Sequence, residues 1–321
     1  VTSGSCGTVN TSTTTITVYG ELSASISGGT SPLCYNTAPG TFTATSNGGT
    51  GSYTYLWYKN GVSTGITTQT YVPGNLASTS TFYCAVTSGS CGTVNTSTTT
   101  ITVYGNLSAG ISGGATPICY NSAPGTLTAT GNGGNGTYTY LWFKNGVSTD
   151  VTTQTFEPGN LTSTTTFYCA VTSGSCGTVN TSTSTITVYN DLSASLSGGS
   201  TPICYNTLPG TFSATAHGGT GLYTYLWFKD GVSTGVTTQA YTPAALTEGS
   251  EFYCEVSSGM CGTVSTLIAS IKVYRDFVNG SISTEGETIC YNGDAGIIGN
   301  TTAASGGDEN ITYQWQSSSD A

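Results

Sequence analysis

Ten of the eleven cysteines in this chain of 321 residues recur at a fixed interval, and that interval constrains the fold more than any other feature. The positions of Cys6, Cys91, Cys176 and Cys261 form an even series, since 91 − 6, 176 − 91 and 261 − 176 are all 85. The sequence around them returns as well. The stretch Phe82-Tyr-Cys-Ala-Val-Thr-Ser-Gly-Ser-Cys-Gly-Thr-Val-Asn-Thr-Ser-Thr-Thr-Thr-Ile-Thr-Val-Tyr104 comes back at 167–189 and, with more changes, at 252–274, and its second half opens the chain. A chain of this kind is a tandem array of one supersecondary unit. The period divides it into the end of a preceding repeat (1–19), three complete repeats (20–104, 105–189 and 190–274) and the first part of a divergent repeat (275–321).

Within a repeat the apolar residues alternate with polar ones. Phe82, Cys84 and Val86, then Ile101 and Val103, predict two half-buried strands joined by a tight Ser-Gly turn. The tract 96–103 is β-branched at nearly every position, which suits a long strand with one face in solvent. In the second repeat, further strands are expected at 107–111, 126–130, 138–144, 152–157 and 164–171. Asn145-Gly146, matched by Asn60-Gly61 and Asp230-Gly231, supplies the positive φ angles of a two-residue hairpin. Seven or so short strands, one central Trp and a late Cys describe an all-β fold: tandem immunoglobulin-like β-sandwiches, stacked end to end across junctions of two residues.

Charged residues make up only 6% of the chain, with 15 acidic against 5 basic, a net charge of −10. Nucleic-acid binding needs clustered cations and is disfavoured. No apolar run reaches the roughly 18 residues of a membrane helix, so no membrane insertion is expected in this segment.

The cysteines occupy three repeat positions: Cys34, Cys119, Cys204 and Cys290; Cys84, Cys169 and Cys254; and the even series that begins at Cys6. Such regularity, with a single histidine and no zinc-ligand spacing, points to disulfides in an oxidising, extracellular setting. Trp142 belongs in the core, with Cys169 pointing inward from the penultimate strand. The preferred pairs are therefore Cys34–Cys84, Cys119–Cys169 and Cys204–Cys254. Cys176 has two other partners within reach, Cys169 across the final hairpin or Cys119. Three cysteines per repeat cannot all pair within it. Cys6, Cys91, Cys176, Cys261 and Cys290 are thus either free thiols, buried as small apolar groups, or bridges to a neighbouring repeat or another chain. In an end-to-end stack the first bend of one domain faces the final hairpin of the next, so Cys34–Cys176 and Cys119–Cys261 are geometrically open alternatives.

Several segments carry a resemblance that covers the whole chain. Cys-Tyr-Asn followed by Pro-Gly, Gly-Gly-Thr-Gly-x-Tyr-Thr-Tyr-x-Trp, Pro-Gly-Asn-Leu-x-Ser-Thr-x-Thr-Phe-Tyr-Cys and Cys-Gly-Thr-Val resemble the Ig-like or PKD-like repeats of giant Bacteroidota surface proteins. Ile289-Cys-Tyr-Asn-Gly-Asp, then Ile311-Thr-Tyr-Gln-Trp-Gln-Ser-Ser-Ser-Asp320, resembles a repeat variant of Flavobacterium-type adhesins associated with gliding motility. The resemblance implies a type IX-secreted, surface-displayed or filamentous adhesin. It is specific for architecture and weak for ligand.

No catalytic, cofactor or metal site is expected. His217, the single histidine, stands in the Gly-rich loop where Asn47 and Asn132 stand in other repeats, which reads as loop drift. The junction residues Glu21, Asn106, Asp191 and Asp276 offer too few carboxylates for calcium. The leading expectation is a non-catalytic extracellular stalk or filament, whose partners are neighbouring repeats and other copies of the chain. The alternative is a carbohydrate-binding array attached to a secreted enzyme, which would use exposed aromatics from the strand containing Tyr53, Tyr55, Trp57 and Tyr58. A third idea, ice binding by Thr-x-Thr rows, needs flat ranks of threonine from several strands, and each repeat has one.

Overall fold

The computed structural model describes residues 1–283 and 286–316. It divides into two compact units, one of Val1–Gly113, Thr126–Phe156 and Thr166–Ser184, the other of Gly114–Gly125, Glu157–Thr165 and Thr185–Ala321. The middle repeat contributes to both.

In the first unit the repeat 20–104 forms eight strands: β1 (Ser23–Gly28), β2 (Phe42–Asn47), β3 (Thr54–Lys59), β4 (Val62–Ser63), β5 (Thr70–Tyr71), β6 (Ser80–Thr87), β7 (Thr93–Asn95) and β8 (Thr99–Ile101). They make an immunoglobulin-like sandwich. One sheet has the order β1-β2-β5; the other has β4-β3-β6-β7, with β8 also on β6, and the pairings are antiparallel.

Alternation produces the core directly. Along β6, Ser80, Phe82, Cys84 and Val86 are buried while the residues between them are partly exposed. Phe82, Cys84 and Val86 meet Phe42 and Ala44 of the facing sheet together with Trp57, Leu76 and Ile101. Trp57 is fully buried and donates its indole N–H to the Thr68 carbonyl at 2.9 Å, so its one polar group is satisfied. The β3–β4 hairpin turns at Asn60 (φ 48°) and Gly61 (φ 77°), the two left-handed residues that this turn requires.

The same arrangement recurs. In the first unit Thr139–Lys144 pairs with Thr165–Thr172, placing Trp142 opposite Cys169. In the second unit Thr224–Lys229 pairs with Ser250–Ser257, placing Trp227 opposite Cys254, around a core of Phe212, Ala214, Phe252, Val256 and Ile271. The divergent end forms two short ladders, Arg275–Val278 with Ser305–Gly307 and Ser281–Ile282 with Asn300–Thr302. Ser317 to Asp320, the end of the adhesin-like motif, lies outside the described residues.

Two expectations are corrected. The tract 96–103 is not one strand. Thr96 turns inward, accepting the Cys84 N–H on its hydroxyl at 3.1 Å and donating its own N–H to the Cys84 carbonyl, and the strand resumes only at β8. The preferred bridges Cys34–Cys84, Cys119–Cys169 and Cys204–Cys254 are not formed, and Cys84, Cys169, Cys204 and Cys254 are thiols. The reason is position along the strand. Cys34 follows Leu33, which bridges Val103 beyond the Ser80 end of β6. Cys84 lies four residues further in, roughly 13 Å at the strand rise, and a bridge needs Cα atoms within about 7 Å.

Candidate functional site

Each sandwich has two poles, one where the chain comes in and one where it leaves, and the cysteines that bond are mounted on these poles. At the leading pole of the first repeat, Gly48 and Gly49 lie against the incoming chain. A Cβ on Gly48 would sit 2.0 Å from the Glu21 carbonyl oxygen, and one on Gly49 2.5 Å from Ser88 Oγ, so both positions exclude side chains. Ser88 is fully buried, accepts the Thr50 N–H at 2.9 Å and donates to the Ser52 carbonyl at 3.0 Å. A single 3-10 turn follows, Gly89–Cys91, closed by the Cys91 N–H on the Ser88 carbonyl and the Ser88 N–H on the Gly92 carbonyl. The buried serine fixes the turn, and the turn presents the cysteine.

The second and third repeats build the same mount. Ser173 accepts the Asn135 N–H at 3.0 Å and carries the turn Gly174–Cys176. Ser258 accepts the Thr220 N–H at 2.9 Å and carries Gly259–Cys261.

At the trailing pole the cysteine follows a buried aliphatic residue clamped to the last strand. Leu33 donates to Thr102 and accepts from Tyr104, both at 2.8 Å, on the parallel bridge Leu33↔Val103. Ile118 is held in the same way by Thr187 and Tyr189, and Ile203 by Lys272 and Tyr274. The next turn is held by Asn36, Asn121 and Asn206 in left-handed conformations near φ 55–58°. Thr37 and Thr207 hydroxyls donate to the carbonyls of Cys34 and Cys204 at 2.6 and 2.7 Å.

Trailing and leading poles meet covalently. Within the first unit Cys34 bonds Cys176, with Cα atoms 5.2 Å apart. Within the second, Cys119 bonds Cys261, with Cα atoms 5.3 Å apart. Each bridge links one repeat to the next over a sequence separation of 142. Cys6, Cys204 and Cys290 are exposed thiols, and Cys91 is a half-buried one. Cys84, Cys169 and Cys254 are buried thiols, and burial pushes their pKa values up. Strand reasoning placed a tight Ser-Gly turn here but missed that its serine is buried and anchors the cysteine. The signal was the invariance of Ser-Gly-x-Cys-Gly at 88–92, 173–177 and 258–262.

His217 is exposed at the end of Phe212–His217. Among the described residues no three His, Cys, Asp or Glu side chains gather as a metal site, and no helix is long and apolar enough to cross a membrane. The aromatic strand splits by face. Trp57 lies in the core, Tyr53 and Tyr55 pack against it, and Tyr58 stacks on Tyr83 on the outer face with ring centroids 4.6 Å apart. Phe143–Tyr168 and Phe228–Tyr253 repeat that stack at 4.6 and 4.8 Å.

Among solved structures, the chain resembles the three N-terminal domains of the bacteriophage RB49 highly immunogenic outer capsid protein, with 13% identity, 78% of this chain and 98% of that one covered, and a TM-score of 0.38. It also resembles domains 3–5 of the Drosophila OTK extracellular region (13% identity, 78% and 96% covered, TM-score 0.32) and the N-terminal four Ig domains of Dscam1 isoform 6.9 (12%, 80% and 73%, TM-score 0.30). No curated protein sequence matches it. One family pattern, described as a domain of unknown function, DUF8696, matches twice in tandem, at residues 23–105 and 108–190. With more than half its length covered by these two matches, the chain belongs to the DUF8696 family.

Proposed function

We propose that this chain serves as a non-catalytic, extracellular adhesin stalk or filament, in which the repeats 20–104, 105–189 and 190–274 give reach and stiffness to a surface attachment. The observation that carries this reading is the pair of bridges from the trailing pole of one repeat to the leading pole of the next, Cys34–Cys176 and Cys119–Cys261. A two-residue junction already leaves neighbouring sandwiches little freedom, and a second covalent link beside it restricts bending and twisting further. Disulfides of this kind belong to oxidising compartments, which supports an extracellular, cell-surface location. The motif resemblance supports a Bacteroidota surface adhesin, type IX secreted and associated with gliding, with neighbouring repeats and further copies of the chain as its partners. The stacked outer rings weigh modestly against a carbohydrate-binding array on this strand, because Tyr58 and Tyr83 each cover one face of the other.

Mass spectrometry of the proteolysed, non-reduced protein tests this reading. It is expected to yield cross-linked peptides joining Cys34 to Cys176 and Cys119 to Cys261. Peptides joining Cys34 to Cys84 and Cys119 to Cys169 would instead describe independent beads and remove the basis for stiffness.

A further inference from the structure

The two bridges overlap along the chain. The loop closed by Cys34–Cys176 contains Cys119, and the loop closed by Cys119–Cys261 contains Cys176, so residues 119–176 belong to both. Bridges confined to single repeats would close loops that share nothing. Overlap changes how the molecule carries tension.

Consider a pull applied to the two termini. Tension reaching Cys34 has four covalent routes to Cys261, of which two use a single bridge and span a separation of 85 each (119 − 34 or 261 − 176), and the other two are the longest and the shortest. One follows the chain over a sequence separation of 227 (261 − 34). The shortest crosses to Cys176, runs backwards to Cys119 over a separation of only 57 (176 − 119), and crosses again to Cys261. Extended chain spans at most about 3.3–3.6 Å per residue, so the route along the chain becomes taut near roughly 800 Å and the shortest near roughly 200 Å. Once the short route is taut, residues 35–118 and 177–260 lie off the shortest load path, whatever their state of folding.

We infer that the crossed bridges make this chain a tether with a built-in stop, in which the maximum extension between Cys34 and Cys261 is set by residues 119–176 and is released by reduction. The inference rests on the stapled-stalk reading above. It adds a function to stiffness, because the same two bonds that brace the folded array also cap its length after the folds give way. All four bridge cysteines are partly exposed, within reach of a small dithiol. A thiolate of the dithiol attacks one sulfur of a bridge, the S–S bond breaks and the other cysteine leaves as a thiolate. The second thiol of the reductant then closes its own disulfide and frees the first cysteine. Two electrons pass from the dithiol to each bridge, which ends as two thiols.

The test holds the full oxidised chain by its termini in optical tweezers, extends it past every unfolding event, and reads the total contour length before and after a dithiol is added. Reduction is expected to raise the separation along the shortest route by 170 (227 − 57), a lengthening of about 600 Å. Two variants separate crossed bridges from independent ones. Removing one bridge, by C34S with C176S or by C119S with C261S, leaves a shortest route of 85 (119 − 34 or 261 − 176), which adds only 28 (85 − 57) or about 100 Å. Removing both gives the full gain of about 600 Å, far more than the two single effects together. Equal increments that simply add, or no lengthening on reduction while the peptide map retains both bridges, would overturn the inference and leave the stalk reading standing. A map that lacks the bridges would overturn both.

Discussion

At the scale of the residue, Cys84, Cys169 and Cys254 show how position decides the chemistry of one side chain. Each is fully buried beside a fully buried tryptophan, and each donates its backbone N–H to a threonine hydroxyl, that of Thr96, Thr181 and Thr266 in turn. Desolvation raises all three thiol pKa values, with the Glu255 carboxylate raising that of Cys254 further. The folded state therefore keeps these protons where the unfolded chain releases them, near the ordinary thiol value of about 8.5. In that window the unfolded state binds fewer protons, so stability falls as pH rises through it and is fully present below it. The unfolding midpoint of the wild-type chain is expected to drop between pH 8 and 10 more steeply than that of the triple variant C84A/C169A/C254A, measured by chemical denaturation across that range. Equal slopes would show that the thiols contribute nothing to the loss. Alternation along the strand was enough to read these cysteines as core residues facing Trp; it could not say how far along the strand a partner sits.

At the scale of the element, the hairpin at 145–146 was legible in full. Asn145 takes φ 49° and Gly146 φ 79°, and the Asn145 side-chain oxygen also accepts the Thr166 N–H at 2.9 Å. The third repeat has Asp230 at this position, accepting the Glu251 N–H at 2.7 Å. N145D should therefore be nearly neutral. N145A, which loses both the left-handed tolerance and the acceptor, should destabilise its repeat by about 1–3 kcal/mol in equilibrium denaturation. A loss as large for the aspartate variant would refute the acceptor role. The strand at 96–103 was misread because β-branched residues fit a pleated surface at every position. The break at Thr96 comes from a tertiary demand, the need to satisfy the Cys84 backbone groups in the core.

At the scale of the whole molecule, each bridge closes a loop with a sequence separation of 142. On a chain-entropy estimate one such loop stabilises the folded state by roughly 5 kcal/mol. The overlap makes the pair worth less than twice that, because the first bridge already brings the ends of the second closer together. Full reduction should lower the denaturation midpoint of all three complete repeats at once, followed by tryptophan fluorescence of Trp57, Trp142 and Trp227. Reduction that left the midpoint unchanged would mean that the bridges carry load without contributing to stability.

The sequence by itself determined the period, the sandwich, the buried tryptophans and the hairpin turns, because these follow from local alternation and from backbone angles that few residues adopt. Which cysteines bond was decided only by tertiary structure. Repeat spacing offered every cysteine the same candidate partners. The choice depended on which pole of the sandwich each one occupies, and that is fixed by long-range contacts: Leu33 clamped beside Val103, and Ser88 buried against Gly49. Local pattern places a residue on a face, while distance along the domain emerges only when the strands have paired.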